Sequence, residues 1–116
     1  MRIAGLGFRK GVSAESLAEA LAQVAPYDAL ATVAGKAMEP GLQRLVSDLG
    51  LPFHAVSQEA LQASERAGSA LARLFYKTGS VAESAALAAA GPGARLVVAK
   101  VKTTDGMAVA AVAEVS

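Results

Sequence analysis

The residues best suited to chemistry in this sequence are two cations in a glycine-rich turn near its start. Residues 5–13 read GLGFRKGVS, in which glycines allow close backbone approach or a positive φ. Ser13 is a good N-cap for a following helix, whose first N–H groups would then face the cations. The stretch predicts an anion site; the alternative is a capped turn whose cations are simply solvated. The groups available to an anion are Gly7, Arg9, Lys10, Gly11 and Ser13.

Two nucleotide-binding motifs are incomplete at this turn. A dinucleotide fingerprint requires glycine where the sequence has Lys10, and an acidic residue after the next strand, where it has Lys36. The phosphate loop of nucleotide hydrolases ends in Gly-Lys followed by Ser or Thr, whereas here Lys10 precedes Gly11. We therefore expect neither a nicotinamide cofactor nor ATP chemistry.

Groups for catalysis are scarce. The chain has one histidine, His54, and no cysteine, which argues against thiolate and transition-metal sites. Because His54 lies in an apolar stretch, a structural role is expected for it. No serine stands in a Gly-x-Ser-x-Gly turn, so a nucleophilic hydrolase of that type is not indicated. We assign no catalytic residue and expect no metal and no cofactor.

Length and composition limit the partners. The chain has 116 residues, a formal net charge of +1 and 4% aromatic residues. This length predicts one domain over residues 1–116, and the balanced charge and few aromatics argue against nucleic acid as a partner. The longest uncharged run, residues 84–94, is too short to span a membrane. We expect a soluble protein, and the absence of cysteine suits a reducing cytoplasm.

Strand and helix patterns alternate along the chain. Strands are predicted at residues 3–8, 29–34, 53–56, 95–102 and 107–115, and helices at residues 13–24, 40–49 and 80–90, with helical stretches after Ser57 and around residues 71–75. An Asp-Gly pair between the last two strands predicts a hairpin. The expected fold is a single layered α/β domain. Its mixed sheet would contain parallel strands from βαβ units and a C-terminal antiparallel hairpin, covered by helices.

The third predicted helix has a well-defined start. Ser80 and Glu83 have the spacing of a capping box, and the helix stops at Gly91-Pro92-Gly93. Glu83 is accordingly expected to cap the helix rather than act as a general base. Either role places Glu83 near the proposed ligand face.

Basic residues follow successive predicted strands. Arg9 and Lys10 follow the first strand and Lys36 the second, while Lys100 lies in the first arm of the hairpin. Ligands of open α/β sheets bind outside the carboxyl ends of the strands, so these groups are expected to converge. Lys102 is instead expected to be a solvated charge on an edge strand.

Three stretches together resemble the CobE/CbiG C-terminal domain family of cobalamin biosynthesis. They are GLGFRKGVS at residues 5–13, Lys36 with EPGL at residues 39–42, and TGSVAESAAL at residues 78–87 with Lys100. The resemblance covers nearly the whole chain and is closest to the stand-alone CobE type. Members often carry cysteine where this chain has Phe8, so no thiol role transfers.

The resemblance implies a polycarboxylate precorrin or other tetrapyrrole intermediate as partner, together with other enzymes of the corrin pathway. The protein would bind or carry that intermediate. One alternative is a small hydrolase that contributes to lactone opening of a precorrin; another is an anion-sensing regulatory domain outside cobalamin synthesis. The predicted ligand-binding residues are Gly7, Arg9, Lys10, Gly11, Ser13, Lys36, Thr78, Gly79, Ser80, Glu83 and Lys100.

Overall fold

Five strands form one mixed sheet in the part of the chain that the computed structural model describes, residues 1–57 and 81–115. The strands are β1 (Arg2–Phe8), β2 (Ala29–Val33), β3 (Phe53–Val56), β4 (Arg95–Lys102) and β5 (Ala108–Glu114). Their order is β3-β2-β1-β5-β4. The first three strands pair in parallel, and β5 is antiparallel to both β1 and β4. The predicted mixed α/β sheet is confirmed.

Three α-helices in the described residues cover this sheet on its two faces. They are α1 (Ala14–Ala22), α2 (Pro40–Leu49) and α3 (Val81–Ala90), and a 3-10 turn at Ala34–Lys36 follows β2. Side chains of α1 and α2 share a core with alternate residues of β1, whereas α3 packs on the intervening ones. Successive strand residues point to opposite faces, so Leu6 faces the first layer and Ile3 the second.

The helix ends agree with the capping signals in the sequence. Ser13 is the N-cap of α1, and its Oγ accepts a hydrogen bond from the Ser16 N–H at 3.0 Å. Pro40 occupies the first turn of α2, and Gly50 ends that helix with a φ of 64° in the left-handed region. The prediction of a capping box at Ser80 concerns a residue outside the described ranges, as do the helical stretches predicted between residues 58 and 80.

The strand that carries His54 lies at one edge of the sheet. β3 pairs only with β2 among the described strands, and the His54 side chain is exposed. At the other edge, β4 is paired with β5 alone and its register with β5 shifts twice. No helix within the described residues is long and apolar enough to cross a membrane.

Candidate ligand-binding site

A cleft of about 280 Å³ opens where β1, α3 and the β4–β5 hairpin meet. Three cations from two parts of the fold line it: Arg9 follows β1, and Lys100 and Lys102 come from the end of β4. Phe8 and Met107 supply apolar wall. We call this site the cationic cleft. Positive groups around a partly apolar recess suit a ligand that carries carboxylates on a hydrophobic body.

The sheet brings these cations together. Lys100 and Lys102 are alternate residues of β4 and so tend to project to the same side. Arg9 is placed beside the start of β5 because its N–H donates to the Met107 carbonyl oxygen at 3.0 Å. The predicted site residue Gly7 also lines the cleft, where the first turn of α3 passes over it.

The start of α3 forms the remaining wall of the cleft. Val81 and Ala82 line it, so the positive end of the helix dipole lies on the same side as the cations. Glu83, the next residue, is only 2% exposed and is not among the residues that line the cleft. Its Oε2 accepts a hydrogen bond from the Lys100 N–H at 3.2 Å. Glu83 therefore ties α3 to β4 beneath the cleft.

Two of the predicted site residues, Lys10 and Lys36, lie in a second recess of about 340 Å³. Glu39 lines it with them, and we call it the Lys10–Lys36 depression. Phe8 connects the two recesses, because it lines the cationic cleft while the Lys36 Nζ lies 5.9 Å from its ring centroid. The cations predicted to converge are thus divided between two neighbouring recesses.

The two remaining residues of the glycine-rich turn already have partners within the chain. Gly11 has a φ of 83°, and its N–H donates to Glu39 Oε1 at 2.8 Å. The Ser13 Oγ accepts the Ser16 N–H, and the Ser13 hydroxyl donates to Ser16 Oγ at 3.1 Å. Ser13 therefore serves as a helix cap, and the Gly11 N–H holds a carboxylate.

Asp105 fixes the hairpin turn that bounds the cleft. Its Oδ2 accepts a hydrogen bond from the Ser16 hydroxyl, and its Oδ1 accepts from the Thr103 hydroxyl at 2.5 Å and the Met107 N–H at 2.9 Å. The bond from Ser16, followed by those from Thr103 and Met107, lowers the pKa of Asp105 from 3.8 to about 2. The turn is thereby joined to α1.

The sequence matches the family model for the cobalamin synthesis G C-terminus over residues 2–113. The chain belongs to this family. It is similar to the crystal structure of cobalamin biosynthesis protein chiG from Agrobacterium tumefaciens, with 34% identity, a TM-score of 0.81, and 100% of this chain and 99% of that chain covered. It is also similar to the crystal structure of CobE from the cobalamin (vitamin B12) biosynthetic pathway, with 38% identity, a TM-score of 0.76, and 99% of this chain and 93% of that chain covered. No curated protein matches.

In this member of the CbiG C-terminal family, the sequence-based site prediction omitted several residues that line the cleft. Lys102 was expected to be a solvated edge charge; it lies on the edge strand, and it also lines the cleft with Lys100. The spacing of two residues along a strand was a signal for this pairing. Phe8 and Met107 gave no comparable signal, because an apolar residue at a strand end is equally compatible with the core.

Three predicted site residues of this family member, Thr78, Gly79 and Ser80, lie outside the described residues. Within the described residues, no three His, Asp or Glu side chains form a group that could hold a metal ion. Of the other predicted residues, Gly7, Arg9 and Lys100 line the cationic cleft, and Lys10 and Lys36 line the Lys10–Lys36 depression. Gly11 and Ser13 lie in the turn before α1, and Glu83 lies on the buried face of α3.

Proposed function

We propose that this protein binds a polycarboxylate tetrapyrrole intermediate of cobalamin biosynthesis through the cationic cleft. The observation that carries the proposal is that Arg9, which follows β1, meets Lys100 and Lys102 of β4 around one partly apolar recess. Family membership supplies the pathway. Intermediates of that pathway carry many acetate and propionate carboxylates, which are the groups such a recess recognises.

Charge in the cleft supports an anionic ligand. Arg9 and Lys102 form no ion pair with any residue in the ranges 1–57 and 81–115. Their positive charge is therefore not neutralised by a described acidic side chain. A guanidinium can hold a carboxylate through two parallel hydrogen bonds, whereas an ammonium acts as a point charge. Arg9 is accordingly the residue we expect to orient a carboxylate.

The size of the cleft supports binding by one edge of the macrocycle. Pockets that enclose drug-sized ligands measure roughly 300–1,000 Å³, and a tetrapyrrole is larger than most such ligands. At about 280 Å³, the cleft has room for carboxylate side chains and part of a ring edge. Phe8, Val81 and Met107 would contact the apolar part of that edge.

The chemistry of the neighbouring polar residues supports binding rather than lactone hydrolysis. Ser16 is a serine whose hydroxyl donates to a carboxylate, that of Asp105. Efficient general bases have pKa values near the working pH. The Asp105 carboxylate, with a pKa of about 2, is too weak a base for that role. The Ser13 oxygen is engaged by the first turn of α1. None of these groups lines the cationic cleft.

The test is a titration with uroporphyrin, a tetrapyrrole that carries an acetate and a propionate on every pyrrole, followed by its absorption spectrum. We expect saturable binding that weakens as salt rises. Arg9→Ala, Lys100→Ala and Lys102→Ala should each weaken it by roughly ten- to a hundredfold, since a charge-assisted hydrogen bond contributes about 1.5–3 kcal/mol.

Two controls separate site-specific binding from general attraction. Arg44→Ala removes an exposed cation of α2 that pairs with Glu15 at 3.8 Å and Asp48 at 3.9 Å, and it should bind uroporphyrin as the unchanged protein does. A tetracationic porphyrin of similar ring size should not bind. Equal uroporphyrin affinity in the unchanged protein and all three cleft variants, each checked for folding by circular dichroism, would overturn the proposal.

A further inference from the structure

The Glu39 side chain accepts a hydrogen bond from a distant turn and not from its own helix. Glu39 stands at the N-cap position of α2, where a side chain commonly accepts a hydrogen bond from its own helix, yet it makes no such bond. Its Oε1 instead accepts the N–H of Gly11, 28 residues earlier, at 2.8 Å. A carboxylate from one element therefore lies at the backbone of the glycine-rich turn.

Two cations share this recess with Glu39. Lys10 and Lys36 line the same depression, yet neither forms an ion pair with a described residue. Lys36 lies over the Phe8 ring instead. The depression thus contains two positive charges and one negative charge, and the negative charge is held by a backbone N–H. A second carboxylate-sized anion would meet favourable charge from both lysines and repulsion from Glu39.

The backbone around this contact is fixed independently of the Glu39 side chain. The Val12 N–H donates to the Arg9 carbonyl oxygen at 3.1 Å, which closes the turn. The backbone of Gly41 packs against the Val12 carbonyl group so closely that a Cβ would have no room there. The start of α2 is therefore held against the turn. The Glu39 carboxylate can rotate away from Gly11 without separating the two elements.

We propose that the Gly11 N–H is a carboxylate position, which Glu39 occupies from within the chain and gives up to a carboxylate of the bound molecule. The identity of that molecule as a tetrapyrrole rests on the proposed function; the exchange of carboxylates at Gly11 does not. Because Phe8 connects this depression to the cationic cleft, one ligand with carboxylates on both sides of Phe8 engages both recesses. Glu39 then determines how strongly carboxylates are held in the Lys10–Lys36 depression.

The direct test follows the Gly11 amide by ¹H–¹⁵N NMR during titration with tricarballylate, a small tricarboxylate. Glu39→Gln removes the negative charge but keeps an oxygen that can accept the Gly11 N–H, so the fold should be retained. Tricarballylate should shift the Gly11 amide in both proteins, with about three- to tenfold tighter binding in Glu39→Gln, as expected from removing one nearby like charge. Lys36→Ala should weaken the binding.

A matched variant tests whether net charge alone explains the gain. Glu15→Gln removes an equally charged side chain from the first turn of α1, where it is 73% exposed. It should bind tricarballylate within about twofold of the unchanged protein, because Glu15 does not line the Lys10–Lys36 depression and an exposed charge is weakened by solvent and salt. The proposal is overturned by a Gly11 amide that does not move in either protein. It is also overturned by equal affinities of Glu39→Gln and Glu15→Gln.

Uroporphyrin titrations of the same variants distinguish this proposal from the function of the cationic cleft. Tighter uroporphyrin binding in Glu39→Gln than in Glu15→Gln supports both. If tricarballylate shifts Gly11 as expected but uroporphyrin does not bind, the exchange stands and the tetrapyrrole function fails. If uroporphyrin binding depends on Arg9 and Lys100 but tricarballylate does not shift the Gly11 amide, and the two glutamine variants bind uroporphyrin equally, the function stands and the exchange fails.

Discussion

The carbonyl oxygen of Ala82 in α3 lies in the space that a Cβ would occupy on Gly5 of β1. Helix and strand therefore approach more closely than any side chain at this position would allow. Ala82, Ala85 and Ala86 are completely buried in this contact layer. The close approach also brings the first turn of α3 over Gly7 at the cationic cleft, so the packing at Gly5 determines one wall of the candidate site.

Replacement of Gly5 by alanine should destabilise the protein. The added Cβ would collide with the backbone of α3 at Ala82 and Ala86, and overpacking of this kind costs about 1–3 kcal/mol, or more where backbone must move. Gly7→Ala is the matched control, because its Cβ would have its nearest contact at 3.4 Å, with the Ala82 nitrogen. Urea denaturation should give a free energy of unfolding within about 1 kcal/mol of the unchanged protein for Gly7→Ala. Equal losses in the two variants would contradict the packing argument.

Local signals in the sequence predicted the elements well, but not the order of the strands. Ser13, Pro40 and Gly50 mark helix ends by their backbone chemistry, which acts over a few residues. The position of β5 between β1 and β4 depends on long-range pairing, and both hairpin strands are apolar enough for a central place. The lysines of β4 were the available indication, since charged residues are typical of edge strands.

The basic residues around the candidate site were predictable from the sequence, but the division of these cations between two recesses was not. The rule that ligands bind at the carboxyl ends of parallel strands pointed to Arg9 and Lys100, and the structure places these two residues in the same cleft. It could not separate Arg9 from Lys10, because adjacent residues in a turn point in directions that only the backbone fixes. The contact of Glu39 with Gly11 was equally hidden, since nothing local links residues so far apart in sequence.

Asp105 should make stability depend on pH in the acidic range. Its pKa is lowered from 3.8 to about 2, so the folded state favours the ionised form. Its stabilising contribution is therefore fully present above pH 3.8 and is lost as the pH falls towards 2. Asp105→Asn lacks this contribution at every pH. The difference in melting temperature between the unchanged protein and Asp105→Asn should be largest at about pH 5 and above, and should narrow towards pH 2.

The hydroxyl of Ser16 is the largest cause of the lowered Asp105 pKa. In Ser16→Ala, the carboxylate loses that hydrogen bond but keeps those from Thr103 and Met107. We expect the pKa of Asp105 to rise towards its ordinary value, as measured by an NMR titration of its side-chain carboxyl carbon. A pKa that stays at about 2 in Ser16→Ala would show that the turn alone lowers it.

Ser13 should contribute to stability as the cap of α1. Ser13→Ala leaves the Ser16 N–H without its side-chain acceptor and should lower the free energy of unfolding by about 1 kcal/mol. Ser13→Asp keeps an acceptor oxygen at the N-cap and should unfold with a free energy close to that of the unchanged protein. Denaturation of the three proteins side by side is the measurement. If the Ser13→Ala and Ser13→Asp proteins had equal free energies of unfolding, the hydrogen bond from the Ser16 N–H would not be stabilising the helix.

Binding energies of double variants should reflect the division of cations between the two recesses. Arg9 and Lys100 line the same cleft, so one ligand carboxylate can contact both, and the loss in Arg9→Ala/Lys100→Ala should differ from the sum of the single losses by about 0.5–3 kcal/mol. Arg9 and Lys36 lie in different recesses, so their losses should add to within about 0.5 kcal/mol. Uroporphyrin titrations of the single and double variants at one salt concentration give both values. Additive losses for Arg9 with Lys100 would mean that these two cations do not contact one carboxylate. Equally strong coupling of Arg9 with Lys36 would mean that the two recesses do not bind separate carboxylates.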